Sequence, residues 1–304
     1  MTQHTTSASP APVPAFLPAG SFARYAALTW DKKAYGDVSQ EGRQRKIIRM
    51  ISRAPDAPVQ TQHNFQVGTI DSSSGNGPVL HAHDYPEIFI PVRAGYRVDY
   101  GTDGRNSATL GLYDAFSLPL FVPRRFEATE IAPRESQMLS IFDTTLQDAR
   151  KGIFLSPEIA ALNDAAGLPR EFEVMEDMKD ISSEEVEANH IARFLNLKVE
   201  SVDGMRLRRL IGANDGDAAL RTPHTIGVDF IEVEPGTQSQ AYESDCREVY
   251  VALEGQPTIL WSDRPVEMER LDVFSVAPRM KRAIAASGNS PALLLRVRDL
   301  TNKD

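Results

Sequence analysis

The sequence is poor in cysteine, because Cys246 is the single one among 304 residues. One thiol excludes an intramolecular disulfide framework and is typical of a reducing compartment, so we expect a cytoplasmic protein. No apolar run approaches the roughly 20 residues of a membrane-spanning helix. Residues 1–14 are rich in Thr, Ser, Ala and Pro and lack the apolar core of a secretory signal, which predicts a disordered tail over residues 1–15.

Positive charge is also scarce. The chain has 33 Lys and Arg against 42 Asp and Glu, a formal net charge of −9. We therefore expect no nucleic-acid partner and no anionic membrane partner. One basic stretch, residues 42–52, alternates Arg and Lys with Ile and Met. We interpret it as a strand with solvated charges, and an anion-binding face is the alternative.

Short β-prone runs separated by turn residues are abundant from residue 59 onward. Many short strands at regular spacing are typical of an antiparallel sandwich or barrel. The predicted strands of the first half are 65–70, 79–83, 87–92, 95–100, 108–112, 115–118, 126–131 and 137–142.

The middle of the chain, residues 146–197, has a helical pattern instead. Ser156 and Pro157 fit the N-cap and first position of one helix. Ser182 begins a capping box that predicts a second helix over residues 186–195. Short β-prone runs resume near residue 198, so we interpret this middle segment as a connector and not as a further domain.

Histidine is rare, with six in the chain, and two of them stand one residue apart. His81, His83 and Glu87 have the same parity, so on an extended strand their side chains share one face. Two imidazoles and a carboxylate that converge suit a divalent metal ion. The alternative is a polar cluster that a barrel has retained without a metal.

An internal repeat relates the two halves of the chain. Adding 161 to the positions of five residues in the first half reaches residues of similar type in the second half. The two sets are Gly75, His81, His83, Glu87 and Phe89, and Gly236, Tyr242, Ser244, Glu248 and Tyr250. We interpret the halves as two copies of one β fold.

Both halves resemble cupins, which are small barrels of the jelly-roll type. The first cupin motif, a glycine followed by His-x-His, a glutamate and a second glycine, is matched by Gly75, His81, His83, Glu87 and Gly95, with one extra residue before the last. The resemblance covers about residues 59–142 and 199–298. It implies a mainly β bicupin: two jelly-roll (cupin) β-barrels joined by a helical connector.

The resemblance also sets the expected domains. Residues 16–145 would form an N-terminal arm and the barrel with the metal site, 146–197 the connector, and 198–304 a degenerate second barrel. The arm would pack on the body or on a second subunit, and we expect a homodimer. The second barrel has Tyr242 and Ser244 at the histidine positions, so we expect it to be metal-free and structural.

The second cupin motif departs from the family pattern at its end. Arg124 stands where the third histidine of the family usually falls. A guanidinium stays protonated and cannot bind a metal, but it suits a carboxylate. Arg124 would therefore pair with Glu87 or hold an anionic group of the substrate. Its neighbour Arg125 could take the same role, and a surface pair of arginines is the alternative.

By resemblance, the expected ligands of one divalent metal per chain are His81, His83 and Glu87. Two histidines and one carboxylate are also the ligand set of non-haem iron oxygenases, which favours Fe(II), with Mn, Ni, Zn or Cu as alternatives. The fourth position would be open or filled by His63.

These residues suggest an oxidoreductase, a dioxygenase acting on a small oxygenated organic acid or aromatic compound. Arg124 would be its catalytic residue. The alternatives are a redox-neutral metal-dependent lyase or isomerase, and a non-catalytic small-molecule-binding bicupin. Substrate-binding candidates are Arg124, Arg125, Tyr85, Phe89, Tyr96 and Phe116.

Overall fold

The fold was analysed in a computed structural model. The structure describes residues 11–31, 41, 43–52, 57–60, 63–129, 136–144, 152–167, 172–212 and 218–303. Most of the expected N-terminal tail therefore lies outside the described residues. No helix within these ranges is long and apolar enough to span a membrane.

The chain is mainly β. The strands up to residue 143 are β1 (Phe22–Ala23), β2 (Arg45–Ile51), β3 (Phe65–Ser72), β4 (Ala82–His83), β5 (Glu87–Arg93), β6 (Tyr96–Tyr100), β7 (Asn106–Leu110), β8 (Ala115–Phe116), β9 (Arg124–Ala128) and β10 (Ser136–Asp143). The connector contains β11 (Ile153–Leu155), α1 (Pro157–Ala165), β12 (Glu173–Val174), α2 (Ser183–Asn189) and β13 (Ile191–Ala192).

The strands after the connector form the second barrel. They are β14 (Val199–Val202), β15 (Met205–Ile211), β16 (Ile226–Val233), β17 (Cys246–Glu254), β18 (Pro257–Trp261), β19 (Arg264–Glu267), β20 (Val273–Val276), β21 (Arg282–Ala286) and β22 (Ala292–Lys303). Two short 3₁₀ turns, Tyr25–Ala27 and Phe194–Asn196, follow β1 and β13.

Each barrel pairs one large sheet with smaller ones. In the first barrel the large sheet has the order β13-β8-β5-β10-β3-β2, and the smaller sheets are β7-β6-β9 and β12-β11-β4. In the second barrel the orders are β1-β20-β17-β22-β16-β15-β14 and β19-β18-β21. The expected architecture of two jelly-roll barrels joined by a connector with two helices is confirmed.

Three apolar cores result from the alternation of side chains along the strands. One fills the first barrel around Phe89, Tyr96 and Phe116. A second fills the second barrel around Tyr250 and Phe274. The third lies between the barrels, where alternate residues of the two large sheets pack face to face. Burial on both faces explains the unbroken apolar runs over residues 88–92 of β5 and 249–253 of β17.

The barrels exchange edge strands. β1 precedes the first barrel, yet Phe22 pairs with Phe274 of the second barrel. β13 precedes the second barrel, yet Ile191 pairs with Phe116 of the first. The expected N-terminal arm thus extends the sheet of the second barrel. The expected helical connector contributes strands to the first barrel.

Both predicted capping serines are confirmed, although the second helix begins at Ser183, three residues before the predicted start. Ser156 Oγ accepts a hydrogen bond from the Ile159 amide at 3.3 Å, and Ser182 Oγ accepts one from the Glu185 amide at 3.1 Å. The second helix ends at Asn189 instead of continuing to residue 195. It ends early because the next residues pair as β13.

Candidate metal centre

The first barrel gathers the predicted ligands near the ends of β4 and β5. His83 ends β4 and Glu87 begins β5, while His81 forms an isolated antiparallel bridge with Arg124 at the start of β9. The exposed fractions of His81, His83, Glu87 and Arg124 are 8%, 2%, 3% and 1%. The sequence motif is therefore folded into one buried polar cluster.

Both histidine rings are oriented by backbone carbonyls. His81 Nδ1 lies 2.7 Å from the Val79 carbonyl oxygen, and His83 Nδ1 lies 2.7 Å from that of Gly152. Because a carbonyl only accepts hydrogen bonds, each Nδ1 carries the proton and each Nε2 keeps its lone pair. Metal-binding histidines are oriented in this way.

Burial keeps both rings neutral. It lowers the pKa of His81 to about 3, aided by His83. Burial, with a smaller contribution from Arg124, also lowers the pKa of His83 well below its usual range. A neutral imidazole is the form that binds a metal, so no proton competes for these nitrogens at neutral pH.

Glu87 has one satisfied and one unsatisfied oxygen. Oε1 accepts a hydrogen bond from Ser140 Oγ at 2.8 Å. Oε2 lies 3.2 Å from His83 Nε2, but it has no hydrogen-bond partner within the described ranges. Two lone pairs that face each other repel unless a proton or a cation lies between them. Burial raises the pKa of Glu87 to about 7, against the lowering effect of Arg124.

The orientation of Arg124 resolves one alternative that the sequence left open. Its Nη2 donates to the carbonyls of Leu118 and Pro119 at 3.4 and 3.3 Å, and its Nη1 has no hydrogen-bond partner among the described residues. No ion pair within 4.0 Å joins Arg124 to Glu87 in the described part of the chain. A buried guanidinium in this state lacks an anion.

Arg125 does not exchange roles with its neighbour. It is 45% exposed, and its Nε donates to Asp99 Oδ2 at 2.7 Å. Consecutive residues of a strand point to opposite faces, so only one arginine of the pair can point inward. The expectation that Arg125 binds substrate is not supported by this geometry.

The aromatic candidates divide into one neighbour of the cluster and three core residues. The ring centroid of Tyr85 lies 4.7 Å from that of His83. Phe89, Tyr96 and Phe116 are buried in the core of the first barrel and do not line the cavity beside the histidines. The structure places them in the apolar core, and their role as substrate contacts stays a prediction.

His63 contacts the second barrel. Its Nε2 lies 3.0 Å from Ser275 Oγ, and its ring packs on Phe65 at 5.0 Å between centroids. It is not among the residues that line the cavity beside His81 and His83. His63 is therefore not retained as a candidate ligand.

A cavity of about 40 Å³ adjoins the cluster. A water molecule needs about 10–15 Å³ of such volume, so the cavity holds about three waters or a ligand of similar size. His81, His83, Glu87 and Arg45 are its ionisable lining residues, and the remaining lining is apolar: Ile47, Ile70, Pro78, Val79, Phe126, Phe142, Ile153 and Phe172.

The donor chemistry fits a divalent ion, although the ligand set is incomplete. Metal–ligand bonds of about 2.1 Å at right angles separate their donor atoms by about 3 Å. His83 Nε2 and Glu87 Oε2 are separated by 3.2 Å. The ring of His81 lies edge-on to that of His83, with centroids 4.9 Å apart. Among the described residues, no group of three or more His, Cys, Asp or Glu is arranged so that it could hold a metal ion.

The equivalent centre of the second barrel is closed by arginines. Tyr242 bridges to Arg282 as His81 bridges to Arg124. Arg282 Nε donates to Glu248 Oε2 at 3.0 Å, and a second, shorter bond joins Arg282 Nη2 to the same oxygen. Arg296 Nη1 lies 3.5 Å from Glu248 Oε1, and Tyr250 donates to Oε2. Guanidinium groups thus provide the positive charge beside this glutamate.

Sequence reasoning missed the groups that support the cluster. Ser140 was seen only as part of a strand, although it pairs with Phe89 beside Glu87 in the register of β10 and β5. The repeat could have indicated it, because Arg296 pairs with Tyr250 in the same way. The Gly152 carbonyl has no sequence signal, because every residue has a carbonyl.

Comparisons with known proteins support the fold. No family model and no curated protein sequence matches this chain. Among solved structures, one variant of Bacillus subtilis oxalate decarboxylase OxdC superposes with a TM-score of 0.65 at 16% identity, covering 93% of this chain and 78% of that chain. A second variant gives 0.59 at 17% identity, covering 84% and 72%. The chain therefore has the two-barrel cupin fold.

Proposed function

We propose that the first barrel is a divalent-metal site for a small carboxylate, and that its reaction is redox-neutral, of the lyase or isomerase type. The observation that carries the proposal is a pair of buried, unsatisfied charges. Among the residues that the structure describes, neither Glu87 Oε2 nor Arg124 Nη1 has a hydrogen-bond partner, although both lie in one polar cluster. Unpaired buried charges are costly, so their retention supports a ligand that completes them.

The metal would be held by His83 and Glu87, whose donor atoms have suitable spacing, with His81 as the third ligand. When bound, a divalent ion would polarise an oxygen of the ligand as a Lewis acid. Fe(II) has no support over Mn. The choice among divalent ions depends on supply and geometry as well as on ligand type.

Charge explains why the ligand would be an anion. With Glu87 ionised and Arg124 protonated, these two charges cancel, so the charge of a bound divalent ion has no anionic partner in this buried cluster. A carboxylate compensates it. Arg124 Nη1 would donate to that carboxylate, and Arg45 adds a second positive charge to the cavity wall.

Cavity size narrows the substrate class. About 40 Å³ suits a ligand of a few non-hydrogen atoms. A neighbouring cavity of about 250 Å³ shares the lining residues Ile47, Ile70, Phe142 and Ile153. The structural neighbours act on oxalate, a small dicarboxylate. The proposal therefore replaces the oxygenase expectation with the redox-neutral alternative.

The chain's own residues would perform three tasks in such a reaction. The apolar lining from Ile47 to Phe172 excludes water from the ligand. Arg124 orients the carboxylate and stabilises negative charge on it. Glu87 would bind the metal through Oε2, and the proton that its pKa of about 7 lets it carry would leave when the metal binds.

The experiment measures oxalate binding and turnover with and without Mn²⁺. Metal-dependent binding, followed by carbon dioxide release without net oxygen consumption, is the expected result. Net oxygen consumption in step with product would contradict the redox-neutral class. The matched variant is Arg124→Met, with Arg125→Met as the exposed control.

A metal-free binding protein is the second candidate. It is favoured by the incomplete ligand set among the described residues. Oxalate binding of equal affinity in the presence of Mn²⁺ and of a chelator would establish it.

A further inference from the structure

We propose that Gly152, which immediately precedes β11, is a positioning residue for the metal centre of the first barrel. Its carbonyl would fix the tautomer and ring orientation of His83. The connector would then be part of the site and not only a link between barrels. This inference rests on the proposed function and adds a residue far from the metal motif in the sequence.

The two histidines obtain their orientation from different sources. His81 Nδ1 donates to the carbonyl of Val79, which is two residues earlier in the same segment. His83 Nδ1 donates to the carbonyl of Gly152, which is 69 residues later. The first orientation is local to the β4 region. The second exists only when the connector is docked.

Strand pairing places the Gly152 carbonyl. β11 pairs antiparallel with β4, with Ile153 opposite His83 and Phe154 opposite Ala82. The carbonyl that precedes Ile153 is thereby directed at the ring of His83, at 2.7 Å in a buried environment. A shift of this pairing by one residue would turn the carbonyl away.

The position requires glycine for two reasons. Its φ is +70°, a conformation that L side chains rarely adopt. A Cβ atom would also lie 2.2 Å from Tyr85 Cε1 and 2.9 Å from Tyr85 Cδ1. The Tyr85 ring in turn lies against His83, with 4.7 Å between centroids. Carbonyl and tyrosine ring therefore hold the imidazole together, and only glycine permits both contacts.

Displacing the Gly152 carbonyl from His83 should weaken metal binding without changing a ligand, because an added Cβ cannot fit against Tyr85 unless the backbone or the ring moves. Removing an outer hydrogen-bond partner of a metal-binding histidine typically weakens metal affinity about 10–100-fold. We expect a decrease of this size in the Mn²⁺ affinity of Gly152→Ala.

Gly167→Ala is the matched control. Gly167 also lies in the connector at a φ of +70°, but nothing lies within 4 Å of the Cβ that would be added. Both variants carry the same backbone strain, and only Gly152→Ala disturbs Tyr85 and the carbonyl. Mn²⁺ titration of both full-length variants should give wild-type affinity for Gly167→Ala alone. Equal affinities in the two variants would overturn the proposal.

A second measurement needs no variant. In metal-free wild-type protein at neutral pH, the ¹⁵N shifts of His83 should report a neutral ring with the proton on Nδ1. In Gly152→Ala the proton should be shared with Nε2, while His81 keeps its wild-type signature. A proton on Nε2 of His83 in the wild type would refute the role of Gly152, even if Gly152→Ala does not fold.

The two readouts separate this inference from the proposed function. If wild-type protein binds no Mn²⁺ but shows the predicted His83 tautomer, the metal proposal fails and the positioning contact stands. If Mn²⁺ binds with equal affinity to wild type and Gly152→Ala, the positioning role fails and the metal proposal stands.

Discussion

The two barrels place a buried glutamate and a buried arginine at equivalent positions, yet the pair is joined only in the second barrel. Glu248 is bonded by Arg282 and Tyr250 and faces Arg296. Glu87 receives one bond from Ser140 and leaves Oε2 unsatisfied. The second centre is complete within the protein. The first leaves Glu87 Oε2 and Arg124 Nη1 without a hydrogen-bond partner among the described residues.

The residue at one equivalent position, in β10 of the first barrel and in β22 of the second, contributes to the difference. Ser140 pairs with Phe89 in the first barrel, and Arg296 pairs with Tyr250 in the second. Serine donates a neutral hydrogen bond, whereas arginine brings a charge that fixes the carboxylate. The duplicated fold therefore supports an open centre and a closed one with few substitutions.

The largest expected effect is on stability, from removing the inward arginine of each barrel. Arg282→Met leaves Glu248 buried with less compensation and should lower the free energy of unfolding by about 3 kcal/mol. Arg124→Met removes a guanidinium with no carboxylate within 4.0 Å and should leave that free energy unchanged or raise it. Urea unfolding of the metal-free proteins measures both. An equal decrease in the free energy of unfolding in both variants would contradict the difference between the two barrels.

Replacing Glu87 and replacing Glu248 by glutamine should change the free energy of unfolding in opposite directions at neutral pH. Burial raises the pKa of Glu87 to about 7 from an ordinary 4.5, so the folded state binds the extra proton. Its stabilising effect is complete below pH 4.5 and is lost as pH rises through 7. Metal-free Glu87→Gln should therefore be more stable than wild type above pH 7, by at most about 3 kcal/mol, and the advantage should vanish near pH 4.5.

Glu248 provides the opposite case. Burial alone would raise its pKa, but Arg296 and Arg282 reverse the effect and lower the pKa of Glu248 below its ordinary value. Its stabilising effect is present above pH 4.5 and is lost as pH falls through the lowered pKa. Glu248→Gln should thus reduce stability at pH 7. Differences of the same sign in both variants across the pH series would contradict the assignment.

A smaller effect should appear in ligand binding. Arg124→Met should weaken oxalate binding to the Mn²⁺-loaded protein about 10- to 100-fold, because a hydrogen bond to a charged group contributes about 1.5–3 kcal/mol. Arg125→Met, which alters an exposed ion pair with Asp99, should bind as wild type. Calorimetry measures both dissociation constants. Unchanged affinity in Arg124→Met would remove that residue from the site.

The smallest effect concerns the exchanged edge strands. Arg24 pairs with Asp272 in a buried environment, with exposures of 8% and 1%, while Arg193 pairs with Asp114 at 32% and 14%. Arg193→Ala should cost at most about 1 kcal/mol. Arg24→Ala should cost more, because it leaves a buried carboxylate with fewer partners. A larger loss in Arg193→Ala would show that exposure does not set the difference.

Much of the fold could be predicted from the sequence because it depends on local residue patterns. The β runs, the capping serines and the repeat each depend on residue types at fixed spacing. The strand exchange had such a signal too, which the sequence interpretation overlooked. Residues 22–24 and 191–193 both have an apolar residue followed by Ala-Arg, and each precedes an aromatic residue.

The site was readable in its ligands and not in their surroundings. His81 and His83 share a parity, as the sequence indicated. Glu87 begins β5 in another sheet, so the turn over residues 84–86, and not strand parity, brings it to the histidines. The state of Arg124 depends on loop geometry that brings the carbonyls of Leu118 and Pro119 to its guanidinium. The cavity volume depends on packing across several strands, so no sequence pattern gives it.

Metal content per chain tests the central claim most directly. Purified protein loaded with Mn²⁺ and passed through a desalting column should retain one ion per chain by elemental analysis. His81→Ala/His83→Ala should retain none, while Tyr242→Phe in the second barrel should retain the wild-type amount. A wild-type chain without metal, or a double variant that retains it, would contradict the account.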